Sequence, residues 1–584
     1  MRRTATARDL VLLTLGALAV LAATAAFEWS RADDASSWDV PLYQSFGDRM
    51  TDGEVPYRDF TYYYGPLAPY LMGLASFFGG SGFWPAVGLG FVVAFAIIGA
   101  TYALARAVAG PLGGFLAGSI TAAIAFIPSN YSFVFPHTNA ATLGTLFLLG
   151  LLLCAWRYAA TERSRWGMGV GLCLGLLLLT KPEPALAGLL AVGIWLFFRG
   201  RAGLPVRRLG ALVAAPTAAI FVLVYGTLLT LVSPSVLLFE NLWPRAELRA
   251  GGDTLIRARM PLTLESVVDL LQYTLPYAAG VVGLVLLARA LERPRLRLPL
   301  AVAAAVGAVL FLAVCVAKPD GLRDAIYYLW GWIPLGALLA VVVLVVRFHR
   351  RRGNWTPLAQ VELAAAVALT VLAATTYNGF VVNGWRPTMS VYYVPLAALL
   401  IVRLHLGELV RTRTALLLGV LWIGFVAAAS AGLTLKDARA ESVTVRGPGG
   451  ALAETPAEAA LYQGALDEIA ARTEPGAPIF VAPLMTGLYP LSGHDSPLDK
   501  ISLLPGALPD AEDQRAAIEQ LEAAGVRLVI TDNREWIGYG HTSFGDSFDR
   551  ELATWIENNF ERVTVLRAEG EKSRTLDVWV RRTQ

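Results

Sequence analysis

Apolar residues in this chain come in long unbroken runs rather than in alternation or in narrow amphipathic stripes. Runs long enough to cross a bilayer, or nearly so, fall at about residues 9–27, 83–106, 111–128, 139–158, 166–180, 183–199 and 207–232, then at 271–291, 297–317, 325–347, 358–381, 390–405 and 413–433. A hydrocarbon core of about 30 Å takes roughly 20 helical residues, so the pattern predicts an α-helical polytopic membrane protein of about 13 transmembrane helices. The first run, in MRRTATARDLVLLTLGALAVLAATAAF, has a basic start and an Ala-rich end like a signal peptide. Its apolar stretch of about 18 residues exceeds the usual signal core, and it reads as an uncleaved first span.

The loops orient these runs, because lysine and arginine collect on the cytoplasmic side. With the N-terminus placed in the cytoplasm, the even loops RYAATERSR, FRGRAGLPVRR, RALERPRLR, RFHRRRGN and RLHLGELVRTR are all basic. The odd loops SNYSFVFPHTN, TKPEP, AKPDGLRD and TYNGFVVNGWRPTM are aromatic, proline-containing and mixed in charge. An odd number of spans then places the residues after about 434 outside the cytoplasm, on a membrane of the bacterial inner or plasma type. The expected organisation is a transmembrane unit over 1–433, with a first outer loop at 28–82, and a small extracytoplasmic α/β domain over 434–584. Within that tail, PAEAALYQGALDEIAART, EDQRAAIEQLEAAG and SFDRELATWIENNF carry helical periodicity, whereas APIFVAP, VRLVITD, ERVTVLRA and TLDVWVRR read as strands.

Composition agrees with the pattern: 55% of the 584 residues are apolar and 16% charged, with a formal net charge of +3. A charge so small, distributed in short clusters, does not suggest a nucleic-acid partner. Cys154, Cys173 and Cys315 lie inside apolar runs without a CxxC pair and read as small core residues. The chain has no GxxxxGK, no GxGxxG after a strand, no HExxH and no GxSxG, which disfavours ATP-driven pumping and dinucleotide chemistry.

The charge that the spans avoid is concentrated in the first outer loop, WDVPLYQSFGDRMTDGEVPYRDFTYYY. Trp38, Leu42 and Phe46 recur every four residues, with Asp39 and Tyr43 in a neighbouring row, as on a helix lying along the bilayer surface. A turn at Asp52 and Gly53 leads into a Pro-fixed extended segment carrying Tyr57, Arg58 and Asp59, and TYYYGPLAPYLMGL returns to the membrane through an aromatic belt. Lys181 and Glu183 sit at an outer turn between two spans, where they read equally as snorkelling side chains or as functional groups. The loop FENLWPRAELRAGGDTLIRARM supplies Arg245, Arg249, Arg257 and Arg259 on the side where the charge rule would not put them, and guanidinium forks suit a phosphate. Lys318, Asp320, Arg323, Asp324, Asn383, Trp385 and Arg386 add polar groups to that face, and His137 reads as an interfacial hydrogen-bonding residue.

Taken together, the Asp at the start of the first outer loop, the Tyr one helical turn later, GEVPYRDFTYYYGPLAPYLMGL and the downstream LTKPEP resemble the GT-C class of integral-membrane glycosyltransferases. The likeness is to the branch of protein O-mannosyltransferase-like, aminoarabinose transferase-like and arabinosyltransferase-like enzymes. That resemblance implies inverting transfer of a sugar from a polyprenyl-phosphate carrier to an acceptor hydroxyl of a glycan, lipid or protein outside the cytoplasm. It implies Asp39 as general base, Asp59 as the rival carboxylate, and Arg58, Lys181, Tyr43, Tyr57, Glu183, Arg257 and Arg259 around the donor phosphate and substrate. Val40 follows Asp39 where many relatives carry a second carboxylate, so no cofactor is certain and a divalent metal is left open. Two other functions are compatible with the residues: a transporter or flippase for lipid-linked sugars, and a non-catalytic envelope-assembly scaffold.

Overall fold

The computed structural model describes residues 36–80, 84–126, 138–242, 297–320, 333–350, 356–375, 427–436, 438–440, 443–536, 541–568 and 574–582, together with isolated positions elsewhere. The spans expected at 9–27, 271–291, 390–405 and 413–433 lie wholly or largely outside them, as do His137, Arg245, Arg249, Arg257, Arg259, Arg323, Asp324, Asn383, Trp385 and Arg386. Asp39 falls in a helix whose backbone is described, but its side chain is outside the described residues.

Among the described residues the membrane portion runs from α1 (Ser36–Thr51) and α2 (Leu67–Gly79) to α3 (Trp84–Ala125), α4 (Asn139–Thr161), α5 (Ser164–Leu177), α6 (Pro182–Arg201) and α7 (Arg207–Leu228). Further on come α8 (Arg297–Ala317), α9 (Ile333–Arg350) and α10 (Pro357–Thr375). Five helices among the described residues are long and apolar enough to cross a membrane. One of them, α3, spans 42 residues and breaks at Gly110 (φ 75°) just before Pro111, so the apolar runs read at 83–106 and 111–128 are two helical segments joined at a kink. The left-handed glycine and the missing proline N–H together interrupt the ladder.

Small residues let α4, α5 and α7 approach closely, as expected where lipid tails remove the hydrophobic drive between helices. A Cβ on Gly171 of α5 would lie 2.3 Å from the Val213 carbonyl oxygen of α7, and Thr217 of α7 donates to the Gly171 carbonyl at 2.9 Å. At the end of α4 and α6 that the charge rule assigns to the cytoplasm, fully buried Arg199 pairs with Glu162 at 2.6 Å and lies over the Tyr158 ring at 5.2 Å.

The C-terminal portion is α/β. A hairpin of β1 (Val443–Gly447) and β2 (Gly450–Glu454) precedes α11 (Pro456–Arg472), β3 (Phe480–Ala482), the short α12 (Leu488–Ser492) and α13 (Ala511–Ala523). After β4 (Leu528–Asp532) come α14 (Arg550–Asn559), β5 (Phe560–Arg567) and β6 (Thr575–Arg581). The four-stranded sheet has the order β3-β4-β6-β5, parallel only between β3 and β4. Every helix and strand read from the tail's periodicity is present, and the β1–β2 hairpin and α12 are additions to that reading.

Helix α1 turns Val40, Tyr43, Gln44 and Phe46 into the protein, and Gly47 sits so close to α2 that a Cβ there would meet Met72 and Ser76 at 2.6 Å. One expectation for the first loop is corrected: the segment after Gly53 is not extended. Tyr57 N–H donates to the Phe60 carbonyl at 2.8 Å, Asp59 N–H to the Val55 carbonyl at 3.0 Å, and Tyr57 adopts φ +68°. The Asp59 carboxylate closes this turn by accepting from Val55 N–H at 2.7 Å, a local bond that competes with an extended backbone.

Arg49 fastens the turn. Only 6% exposed, it pairs with Glu54, donates to the Asp59 carbonyl at 2.8 Å and the Leu498 carbonyl at 2.9 Å, and lies over the Phe60 ring. Thr61 N–H adds a bond to the Asp499 carbonyl at 2.9 Å, so the first loop and the C-terminal portion share one backbone-lined seam. Replacing Arg49 by alanine leaves Glu54 and two carbonyls without their partner; it is expected to cost about 3 kcal/mol of stability. The measurement is thermal unfolding of the purified full chain in detergent, with limited proteolysis reporting opening at residues 52–60; an unchanged midpoint and cleavage rate would refute this role for Arg49.

Candidate functional site

The polar end of the helical bundle is built by joining two segments far apart in sequence. Gly65 N–H donates to the Thr180 carbonyl at 2.5 Å and Leu67 N–H to the Leu179 carbonyl at 3.0 Å. Only glycine fits here, since a Cβ on residue 65 would stand 2.3 Å from the Leu179 carbonyl group. This seam brings the tyrosine run against the turn at 178–181 that separates α5 from α6.

Lys181 is the cation at that junction. Its ammonium pairs with Glu183 at 3.2 Å and lies 5.1 Å from the centroid of the Tyr64 ring, with its side chain 14% exposed. Glu183 stands in the first turn of α6, where a carboxylate is favoured by the helix dipole. Its Oε2 is buried and has no hydrogen-bond partner among the described residues. An ammonium has three donors, so the pair with Glu183 leaves capacity for a further anion.

Behind Lys181 lies an aromatic wall. Phe46 stacks on Phe60 at 5.0 Å between centroids, Tyr43 meets the edge of Tyr62 at 6.3 Å, and Tyr62 meets Tyr64 at 5.9 Å. Burial pushes the Tyr62 hydroxyl above its ordinary range, so it stays protonated at any physiological pH. The Tyr57 hydroxyl donates to the Tyr64 carbonyl and accepts from the Asn241 amide at 3.1 Å; the same amide nitrogen lies 3.0 Å from the Tyr225 hydroxyl. Asn241 belongs to a π-helical turn, Leu237–Leu242, a geometry frequently found at functional sites.

The structure therefore gathers Tyr57, Tyr64, Lys181 and Glu183, with Tyr43 in the wall behind them, and adds Asn241 and Tyr225, which the sequence reading did not select. Arg58 and Asp59 pair with each other instead. The Arg58 guanidinium grips the Asp59 carboxylate, with Nη2 at 2.6 Å from Oδ2, and the arginine side chain is 44% exposed. Its hydrogen bonds hold the Asp59 carboxyl below the usual carboxylate range, which makes Asp59 a weak base. No group of three or more His, Cys, Asp or Glu side chains among the described residues is placed to hold a metal ion.

A second polar surface lies where α1 meets the C-terminal portion. Asp48 accepts from Gln44 at 2.7 Å, and burial raises its carboxyl to about 6, with Asp495 and Asp52 contributing repulsion. Burial also raises Asp495, reinforced by Asp52 and opposed by Arg49 and His494, and it raises Glu54 despite the Arg49 pair. A raised carboxyl means that the folded protein binds more protons than the unfolded chain between about pH 4 and 6, so stability falls as pH rises through that window and levels off above it. Asp48→Asn is expected to flatten this slope and to raise the thermal midpoint above pH 6. A pH series of thermal unfolding on both proteins decides it, and parallel curves would overturn the role given to Asp48.

The family model for dolichyl-phosphate-mannose-protein mannosyltransferase matches residues 64–226. No curated protein matches the chain. Among solved structures, the oligosaccharyltransferase of Archaeoglobus fulgidus, in complex with Zn and sulfate, aligns at 16% identity over 94% of this chain and 71% of that one, with a TM-score of 0.46. ArnT from Cupriavidus metallidurans, bound to undecaprenyl phosphate, aligns at 14% identity over 97% of each chain with a TM-score of 0.45. Neither likeness is close enough to assign an activity. The resemblance to GT-C glycosyltransferases that the first loop and the LTKPEP turn carry is thus met by a match to a glycosyltransferase family over the stretch that holds Tyr64, Lys181, Glu183 and Tyr225.

Proposed function

We propose that the protein is an inverting glycosyltransferase that moves a sugar from a polyprenyl-phosphate carrier to an acceptor hydroxyl of a cell-envelope glycan, lipid or protein. The single observation that supports it most is the convergence of the Tyr57–Gly65 segment on the turn at 178–183. That convergence sets a shielded lysine–glutamate pair against an aromatic wall at one end of an apolar helical bundle.

In this reading Asp39 accepts the proton of the acceptor hydroxyl as its oxygen attacks the anomeric carbon. The new carbon–oxygen bond forms on the face opposite the breaking bond to the phosphate oxygen, and configuration inverts. The electron pair leaves with the polyprenyl phosphate, whose growing negative charge is met by Lys181 in a site of low dielectric. Arg58, Arg257 and Arg259 are the further cations assigned to the phosphate, and Tyr43 and Tyr57 the aromatic and hydroxyl groups assigned to the substrate. Because the donor is an activated phosphodiester, neither ATP nor a nucleotide sugar is required. The proton transfer and charge stabilisation are assigned to side chains, and a divalent metal enters no step.

The topology belongs to the same proposal: about 13 spans, the N-terminus in the cytoplasm, and a transmembrane unit over 1–433 whose first loop faces a C-terminal domain over 434–584 outside the cytoplasm. The basic loops around buried Arg199 support the assignment of that end to the cytoplasm. Lys181 caps the start of α6 and Arg199 lies in its last turn, so the two are separated by about 27 Å, close to one hydrocarbon thickness.

The test uses the purified full chain, a polyprenyl-phosphate sugar and detection of the glycosylated product. Asp39→Asn is expected to lower transfer by about 100-fold or more, the scale of general-base catalysis. Wild-type rates from a folded Asp39→Asn protein would sink the assignment of the base. Lys181→Met is expected to lower kcat by a similar factor, about that of one transition-state charge contact. Lipid movement across vesicles without covalent transfer would replace the enzyme reading with that of a flippase.

A further inference from the structure

We propose that Tyr225 donates its hydroxyl hydrogen to an anionic oxygen of the carrier phosphate, and that Asn241 is the positioning residue that leaves this hydrogen available. The proposal rests on the reading of the site as one for a phosphate-linked donor, and deepens it by two residues.

The hydrogen-bond inventory carries the inference. A tyrosine hydroxyl has one hydrogen to give, and a primary amide nitrogen has two. Tyr57 gives its hydrogen to the Tyr64 carbonyl. Tyr57 must therefore be an acceptor toward Asn241, which requires the amide nitrogen, not the amide oxygen, to face it at 3.1 Å. The same nitrogen lies 3.0 Å from the Tyr225 oxygen, so Tyr225 too is an acceptor there. Its own hydrogen then has no acceptor among the described residues, although Tyr225 is only 6% exposed. Leaving a buried donor unmatched costs about 1–3 kcal/mol, a cost that a ligand oxygen would remove.

Position identifies the class of ligand. Tyr225 stands in the last turn of α7, and the route from it to Lys181 runs through Asn241, the Tyr57 hydroxyl, the Tyr64 carbonyl and the Tyr64 ring, over which the ammonium lies. A hydroxyl donor and an ammonium are the two kinds of group that stabilise an oxyanion, and one run of contacts ties them together. The wall adjoins an apolar helix face: Phe221, one turn back on α7, lies 4.6 Å from the Tyr225 ring and borders an open groove of about 470 Å³ lined by Leu174, Leu178 and Val213. A phosphate joined to an isoprenoid chain matches both surfaces.

The experiment measures binding of a polyprenyl phosphate, the matching polyprenol and inorganic phosphate to the purified full chain. Wild-type protein is expected to prefer the polyprenyl phosphate over both. Tyr225→Phe is expected to reduce the preference over polyprenol by about 10-fold or more, the worth of one hydrogen bond to a charged group, with an unchanged thermal midpoint. Asn241→Asp puts an acceptor of the same shape beside Tyr225, commits the tyrosine hydrogen to the carboxylate and is expected to abolish the preference. A folded Tyr225→Phe protein that keeps the full preference overturns the role of Tyr225 alone, and Asn241→Asp with the full preference overturns that of Asn241. Wild-type protein that binds the polyprenol or inorganic phosphate as tightly as the polyprenyl phosphate overturns both, together with the phosphate-linked reading of the site.

Discussion

Burying a guanidinium is costly unless its donors find acceptors, and Arg49 finds them by drawing together parts of the chain that are far apart in sequence. Its partners are a carboxylate five residues away, a carbonyl ten residues away and a carbonyl at Leu498, with Phe60 against its flat face. The consequence is local as well as long-range. With the Asp59 carbonyl held, the turn from Val55 to Phe60 is closed, Tyr57 takes a left-handed backbone that a bulky residue otherwise avoids, and its hydroxyl reaches the Tyr64 carbonyl.

From there the organisation passes through the glycine seam at residue 65 to the Lys181 turn, and through Asn241 to α7. Each link is a hydrogen bond or an ion pair in a setting with little water, where unmatched groups are expensive and matched ones are rigid. That rigidity is what a transfer site needs, because charge stabilisation acts only when donors are already in place before the reaction. Asp48, Asp495 and Asp52 repel one another beside the same contact, and burial lifts Asp48 and Asp495.

Much of this was legible beforehand, for reasons specific to each element. The long apolar helices among the described residues follow from run length, and the helices and strands of the tail follow from periodicity, because in both cases burial of one residue type dictates the pattern. Lys181 and Glu183 stood out because charges beside apolar runs are costly, and the structure pairs them. The tight turn at Val55–Phe60 was missed because Pro56 alone suggests extension, whereas the deciding bonds come from Asp59 and Arg49. The β1–β2 hairpin left a signal in the Pro448–Gly449 pair between two short apolar stretches. Asn241 left a fainter one as a polar residue following Glu240 inside LLFENLW, while Tyr225 left none, since a tyrosine near a helix end is ordinary in a membrane protein.

The sequence by itself determined the solvent each segment prefers, and with it the membrane character of the chain, the elements of its tail and the short list of ionisable groups that a site could use. It could do so because hydrophobic transfer depends on composition over a window and is insensitive to partners. Which of those groups meet was decided only by the tertiary structure: Lys181 with Glu183 under Tyr64, Arg58 turned onto Asp59, and Asn241 shared between Tyr57 and Tyr225. Hydrogen bonds and ion pairs are directional and short, so they depend on where distant backbone segments come to rest, and a glycine at residue 65 or an arginine at residue 49 has that effect only once its partners are in place.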